Sequence, residues 1–351
     1  MSILHIIEPW ICHYELFYSV IYHNRFRCSK FCIYSSLPTN TQHDLLGFCK
    51  EHNVQLEIYL NLESFKPSPD SILWINTTHI HSNQESFVNM TNFLERISCS
   101  PLVSRVYIVL HNQFDISFYF SFLQNQSDSS LLTLPVVLSS DMVGIFLSII
   151  NPQDRLYPKV FHPFLPSFYS SRQIPSRDTS TPIKCLITGM AREGKGFNLL
   201  YRFKDLVSSN IVSFSYVGWA APGFGLSSGL NKSICLGLID SFTVDPIRVP
   251  ESEISSAIEK SHVLIDLKIP TKPFKFTNTS GLLALSRTFK KPILCHTYQY
   301  PTQPAIRFNS IDHLHELLSN QMLFSSGIKL FENISIFNVR QSLHANECLF
   351  Q

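Results

Sequence analysis

The chain has 351 residues, of which 44% are hydrophobic and only 15% charged, with a formal net charge of +2. That length points to two domains with sizeable cores. The composition excludes a disordered or acidic solvating chain, a coiled coil and a generally basic nucleic-acid binder.

The first half alternates short β-branched runs with helical patterns. Strands are predicted at 3–8, 31–35, 54–60, 72–75, 103–110 and 135–138. Helices are predicted at 14–23, 43–51, 83–97 and 141–149. Alternation at this spacing predicts parallel βα units with helices on both faces of a sheet. Between Tyr157 and Pro182 stand five prolines among many Ser and Arg residues. Proline lacks an N–H and presets φ, so this stretch reads as a linker. The alternation then restarts. Strands are predicted at 183–188, 212–217, 263–266 and 293–295, with helices at 197–207, 251–259, 282–289 and 311–318, and a glycine-rich loop after 217.

The expected architecture is α/β: two Rossmann-like doubly wound domains facing each other across a cleft. The first spans 1–165, joined by a C-terminal crossover helix at about 334–351; the second spans 166–333. Charge divides at the same place. Residues 1–165 carry nine basic and thirteen acidic side chains, and residues 166–351 carry nineteen and thirteen. The second domain suits an anion, and Lys268, Lys272, Lys275, Arg287, Lys290 and Lys291 read either as a solvated surface or as a field for a phosphate.

No 20-residue apolar run and no basic leader is present. The nine cysteines are odd in number and lack CxxC pairs, which suits reduced, mostly buried thiols in a cytoplasmic protein. Asn76-Thr77-Thr78 then carries no glycosylation meaning. No His/Cys/Asp cluster has metal spacing, no Walker lysine-Ser/Thr occurs, and no dinucleotide fingerprint follows a strand.

Four segments carry a resemblance. They are the strand and turn Ile183 to Gly196, Ser215-Tyr-Val-Gly218, Glu251 to Asp266, and Ser280 to Ile293. Together they resemble the nucleotide-binding domain of GT-B glycosyltransferases, in particular the family-4-type retaining enzymes that use nucleotide sugars. Tyr107 to Asn112 resembles that family's strand ending in a histidine, and Tyr157 to Pro166 its interdomain hinge. The resemblance implies transfer of a hexosyl or related sugar from a nucleotide-diphosphate donor to a glycan or lipid-linked saccharide, in polysaccharide biosynthesis. It implies no metal and no cofactor, and no nucleic-acid partner.

Within it, Lys195 is expected on the leaving diphosphate, and His111 against the donor sugar. Arg192 (Met190 stands where the family has arginine), Gly194, Gly196, Thr279, Ser280, Gly281 and Leu282 are expected around the donor. His13 and Glu15 are expected on the acceptor side. The family's paired glutamates fall at Thr277 and Leu285, so the donor site diverges. The mixture of aromatic and basic residues in 17–31 (Arg25, Arg27, Lys30) suits contact with the inner face of a membrane. A sugar-nucleotide epimerase and a catalytically degenerate glycan- or partner-binding module remain the alternatives.

Overall fold

A computed structural model describes residues 2–9, 14–77, 84–98, 100–111, 113–124, 131–138, 157–161, 181–191, 194–220, 227–245, 249–269, 281–299, 305–320 and 322–331, with Val143, Phe146, Leu147, Asn346 and Leu349. Two compact units emerge. One is Met1–Pro163 with Lys275–Thr279 and Ser342–Gln351; the other is Phe164–Phe274 with Ser280–Gln341. The proline-rich linker and the helix expected at 141–149 lie largely outside the described residues.

In the first unit the elements run β1 (Ser2–Ile7), α1 (Tyr14–Asn24), β2 (Cys28–Tyr34), α2 (Thr39–Glu51), β3 (Gln55–Tyr59), β4 (Ser71–Ile75), α3 (Gln84–Ser98), β5 (Val103–Val109), α4 (Gln113–Gln124), β6 (Leu132–Val137) and β7 (Lys159–Val160). Their sheet order is β3-β2-β1-β4-β5-β6-β7, with every neighbouring pair parallel. Parallel strands are buried on both faces, so they read as nearly continuous apolar runs. Leu73, Trp74 and Ile75 of β4 are fully buried, as are Val106 through Leu110. The Tyr107 hydroxyl donates to the carbonyl of Leu349 at 3.3 Å, and Asn346 meets His23 Nε2 at 3.1 Å. The C-terminal segment thus packs on the first unit.

The second unit runs β8 (Ile183–Ala191), a 3-10 helix (Phe197–Phe203) continued by α5 (Lys204–Ser208), β9 (Val212–Ala220), α6 (Ser228–Cys235), β10 (Ser241–Asp245), α7 (Glu251–Lys260), β11 (Val263–Ile265), α8 (Gly281–Phe289), β12 (Ile293–His296), β13 (Ile306–Phe308) and α9 (Ile311–Ser319). The order is β10-β9-β8-β11-β12-β13, again all parallel. Ranked from its own first strand this is 3-2-1-4-5-6, the order of the first six strands in the first sheet. One face is packed by Phe197, Leu200, Phe203, Leu230 and Leu314. The other is packed by Ile254 and Ile258 of α7 and Leu282 and Leu283 of α8.

Three expectations change. The helix after Gly196 begins as a 3-10 helix rather than an α-helix. Gly196 lies at φ +80 and its N-cap lacks a side-chain bond, so the chain enters on a tight turn. Within the basic group of the second domain, Lys272 and Lys275 lie outside the described residues, and Lys291 is taken up in the fold. Lys291 is 4% exposed, and its Nζ donates to the carbonyls of Glu259 and Ser261, at the end of α7 remote from the strands' carboxyl ends. Burial pulls its pKa down to about 8. The aromatic–basic segment 17–31 is mostly core: Phe17 and Phe31 are fully buried and Lys30 pairs with Glu57 at 2.6 Å. Phe26 alone among its Phe residues stands out, 77% exposed, with the Arg25 guanidinium over its ring and that of Tyr22.

His5 of β1 is buried between the Tyr34 hydroxyl (3.1 Å from Nδ1) and the Ser71 hydroxyl (3.2 Å from Nε2). Burial, helped by nearby Lys30, lowers its pKa from 6.5 to about 4. The unfolded chain then binds the extra proton between those values. Stability from this site is full above pH 6.5, declines as pH falls toward 4 and levels off below. The total is about 3 kcal/mol at 1.36 kcal/mol per tenfold shift. Comparing urea midpoints of the wild type and His5→Asn between pH 7 and 4 tests this: the difference between them should vary with pH in that window, and a constant difference would contradict it.

Candidate functional site

Where two neighbouring parallel strands send their connections to opposite faces, a crevice opens at their carboxyl ends, and open α/β sheets take ligands there. In the first unit that point lies between β1 and β4. Three strand ends deliver polar residues to it: Glu8 follows β1, Asn76 and Thr77 follow β4, and His111 follows β5. All four are buried, Glu8 and Asn76 completely.

They are joined. Glu8 Oε2 accepts from Asn76 Nδ2 at 2.7 Å and from the Thr77 hydroxyl at 2.9 Å. The backbone carbonyl of Asn76 lies 2.6 Å from His111 Nε2, which must carry the proton, since a carbonyl only accepts. The Trp74 indole N–H reaches Asn76 Oδ1 at 3.3 Å. Asp115, in the first turn of α4, reaches back to accept from the His111 backbone N–H at 2.9 Å. A carboxylate there also faces the positive end of the helix. His111 is therefore a fixed, oriented imidazole. Sequence reading found it, but missed Glu8, Asn76, Thr77 and Asp115.

In the second unit the equivalent point lies between β8 and β11. Gly189 and Gly218 stand side by side in the register of β8 and β9. A Cβ on Gly218 would overlap both the Gly189 carbonyl and the Tyr216 phenol. Gly218 thus makes room for Tyr216, whose hydroxyl donates to the Gly189 carbonyl at 2.6 Å. Burial raises that phenol's pKa, so it stays a donor.

Beyond the turn, Lys195 Nζ sits over Gly189, 3.4 Å from where a Cβ would stand. Gly189, Gly194 and Gly196 all have positive φ, at 102°, 81° and 80°. A Cβ at Gly196 would also collide with the Leu267 carbonyl, just past β11. The turn is therefore pressed against the end of β11, where Asp266 is buried. Asp266 Oδ1 accepts from the Lys268 backbone N–H at 3.2 Å, and Oδ2 from Gln299 at 3.1 Å. Gln299 Oε1 in turn accepts from the His296 N–H at 3.0 Å. Sequence reading missed the Asp266–Gln299 pair.

Gly281 opens α8, and Leu282 is buried in the core beneath it. Arg192, Thr279, Ser280 and His13 lie outside the described residues. Glu15 falls in α1, but its side chain is likewise outside them. Among the described residues, no group of His, Cys, Asp and Glu could hold a metal ion, and no helix is long and apolar enough to cross a membrane.

No family model matches the chain, and no curated protein matches it in sequence. Solved structures do match in shape. Anabaena HepE in complex with UDP and glucose shares 11% identity at a TM-score of 0.64, covering 100% of this chain and 98% of that one. An alpha-glucosyltransferase in complex with UDP shares 12% at 0.55, over 95% of each chain. A UDP-GlcNAc 2-epimerase from Neisseria meningitidis, bound to UDP-GlcNAc, shares 11% at 0.51, covering 98% of this chain and 100% of that one. The chain has the two-domain GT-B fold.

The first-unit network gives a direct expectation. Glu8→Ala removes the acceptor of two buried donors, at a cost of about 1–3 kcal/mol for the groups left unmatched. Glu8→Gln keeps an oxygen in place and should cost about 1 kcal/mol or less. Chemical-denaturation midpoints of the two variants check this; equal losses would show that the carboxylate does not hold the network.

Proposed function

We propose that the chain is a glycosyltransferase, moving a sugar from a nucleotide-diphosphate donor to a glycan or lipid-linked saccharide. The observation that carries this is the Lys195 ammonium, held over Gly189 of β8 by a turn with left-handed glycines at 194 and 196, at the carboxyl ends of the second sheet. Such a turn lets backbone N–H groups approach phosphate oxygens. The likeness in fold to proteins solved with UDP and UDP-sugars supports the reading.

The chemistry assigned to each part follows. The bond from the anomeric carbon to the diphosphate oxygen breaks, and the diphosphate leaves with the electron pair. Lys195 meets that growing negative charge. An acceptor hydroxyl forms the new bond and gives up its proton. Gly194, Gly196 and the opening of α8 at Gly281 and Leu282 are assigned to the donor, with Arg192, Thr279 and Ser280 beside them. His111, oriented through Asn76, is assigned to the donor sugar. His13 and Glu15 keep their assignment to the acceptor, with Glu8 added as a support for His111. No metal is needed if Lys195 and the turn neutralise the diphosphate. Retention of anomeric configuration, a cytoplasmic setting and a role in polysaccharide biosynthesis belong to the same proposal. Phe26 and Arg25 supply the surface for any contact with a membrane.

A second reading has its own support. An epimerase of nucleotide sugars needs carboxylates near the sugar, and Glu8 and Asp115 supply two at the switch point of the first unit. The fold is shared with a UDP-GlcNAc 2-epimerase. A donor panel separates the readings. A transferase releases nucleotide diphosphate only with sugar transferred, whereas an epimerase converts the sugar nucleotide without acceptor. A pure binding module does neither.

Lys195→Ala should lower kcat by about 10²–10³, as loss of one transition-state donor does elsewhere. KM should change less, because the contact strengthens as charge develops. Lys195→Arg should restore only part of the rate. Thermal unfolding of both variants should match the wild type. Near-normal turnover of Lys195→Ala on its true donor would place the diphosphate elsewhere.

A further inference from the structure

The second sheet is covered unevenly on its α7–α8 face. Over β8, β11 and β12 that face is apolar and lies beneath Ile254, Ile258 and Leu282. Toward the edge it turns polar. Ser213 and Ser215 alternate along β9, and Ser241 and Thr243 along β10. Ser215 pairs with Ser241, and Val217 with Thr243, so these side chains share one face. Together with α7 they bound a groove of about 450 Å³. That volume falls in the range of small-ligand sites, about 300–1,000 Å³.

The floor of the groove is the four hydroxyls on β9 and β10, with Val217 as the apolar part, and α7 contributes Ser256 and Ala257. Among the described residues, none of these five hydroxyls has a protein hydrogen bond. Two ammonium groups stand at one end. Lys184 pairs in register with Ser213 at the start of the strands, and Lys260 ends α7. Both are exposed. Glu253, near the start of α7, marks the other end. Among the described residues the lining holds no aromatic side chain, so the recognition argued here is by hydroxyls and charge. What this groove offers is a row of hydroxyl donors and acceptors with positive charge at one end and a single acceptor carboxylate at the other.

We infer that this groove binds an anionic oligosaccharide, a short chain of sugars bearing carboxylates, as a site separate from the carboxyl-end turn of the same unit. Sugar hydroxyls match the serine and threonine row, and a carboxylate matches Lys184 and Lys260. Glu253 accepts from hydroxyls at the uncharged end. The inference concerns binding only and stands whether or not the chain transfers sugar.

The test is calorimetric titration of the full chain with tri-galacturonate, using neutral maltotriose as comparator. Saturable binding of the acidic trisaccharide is expected, at least about tenfold tighter than maltotriose, or about 1.4 kcal/mol. The double variant Lys184→Gln/Lys260→Gln should weaken it by at least about tenfold. Thr243→Trp, at an exposed position over the floor, should abolish it. Both variants should keep the wild-type melting temperature and the wild-type response to UDP-sugars, so that a failure here is distinct from a failure of the transferase reading. Absence of saturable binding, or equal affinity in the variants, overturns the inference. So does a concentration-dependent dimer that Thr243→Trp dissociates, since a second copy would then fill the groove.

Discussion

The constraint on which the chain's chemistry depends is the reversal of strand order in each sheet. Connections from β1 to β2 and from β4 to β5 leave on opposite faces, and so do those from β8 to β9 and from β11 to β12. Crossovers of this kind keep one hand, so the direction of winding fixes the face. Between the diverging connections no helix can cover the strand ends. Polar groups sit at those strand ends, and the buried ones are met by hydrogen bonds from neighbouring elements. Glu8, Asn76 and His111 in the first unit, and Asp266 and Leu267 in the second, follow strands at that point, and Gly189 lies in the last residues of β8.

What happens next differs between the units. The first fills its opening with side chains that satisfy one another. A buried carboxylate is expensive unless donors meet it, and Glu8 has two on a single oxygen. That arrangement makes His111 rigid, because the Asn76 that donates to Glu8 also presents the carbonyl that holds the imidazole. The second unit adds glycines beside its own hydrogen-bonded pair of Asp266 and Gln299. Glycines at 189, 196 and 218 are places where a Cβ has no room or the backbone is left-handed. The result is backbone brought close together with one ammonium above it. One unit thus places oriented, hydrogen-bonded side chains at its switch point, and the other places closely approached backbone with an ammonium beside it.

Much of the sheet framework was legible in sequence because buried parallel strands are β-branched runs, as in Ile72 to Ile75 and Ile183 to Thr188. The elements missed had physical reasons to be faint. Helix α4 is rich in Phe and Tyr and apolar nearly all round, with Phe118 and Tyr119 both buried, so no helical period marks it. Helix α6 contains Gly229, present because a Cβ there would crowd the Asn198 backbone nitrogen at 3.0 Å. Strand β10 carries hydroxyls on one face because no helix covers that face. At the site, Lys195 and His111 showed themselves through local context: a lysine between glycines, and a histidine ending a strand. Glu8 and Asn76 did not. They are 68 residues apart, and only the placement of β4 beside β1 brings them within hydrogen-bond distance.

The same reasoning explains how the fold persists at 11% identity with a protein of similar length. The interior asks only for apolar residues of suitable size at the right period, which many sequences satisfy. The strand ends ask for specific atoms, yet they ask for them by position on the sheet and not by residue type. A carboxylate, an amide and an imidazole at three adjacent strand ends can be rearranged, provided every buried donor still finds an acceptor. The buried acids Glu8, Asp115 and Asp266 show this, each met by hydrogen-bond donors close to a strand end. An acidic group at this opening is tolerated wherever the surrounding backbone and amides can pay its desolvation.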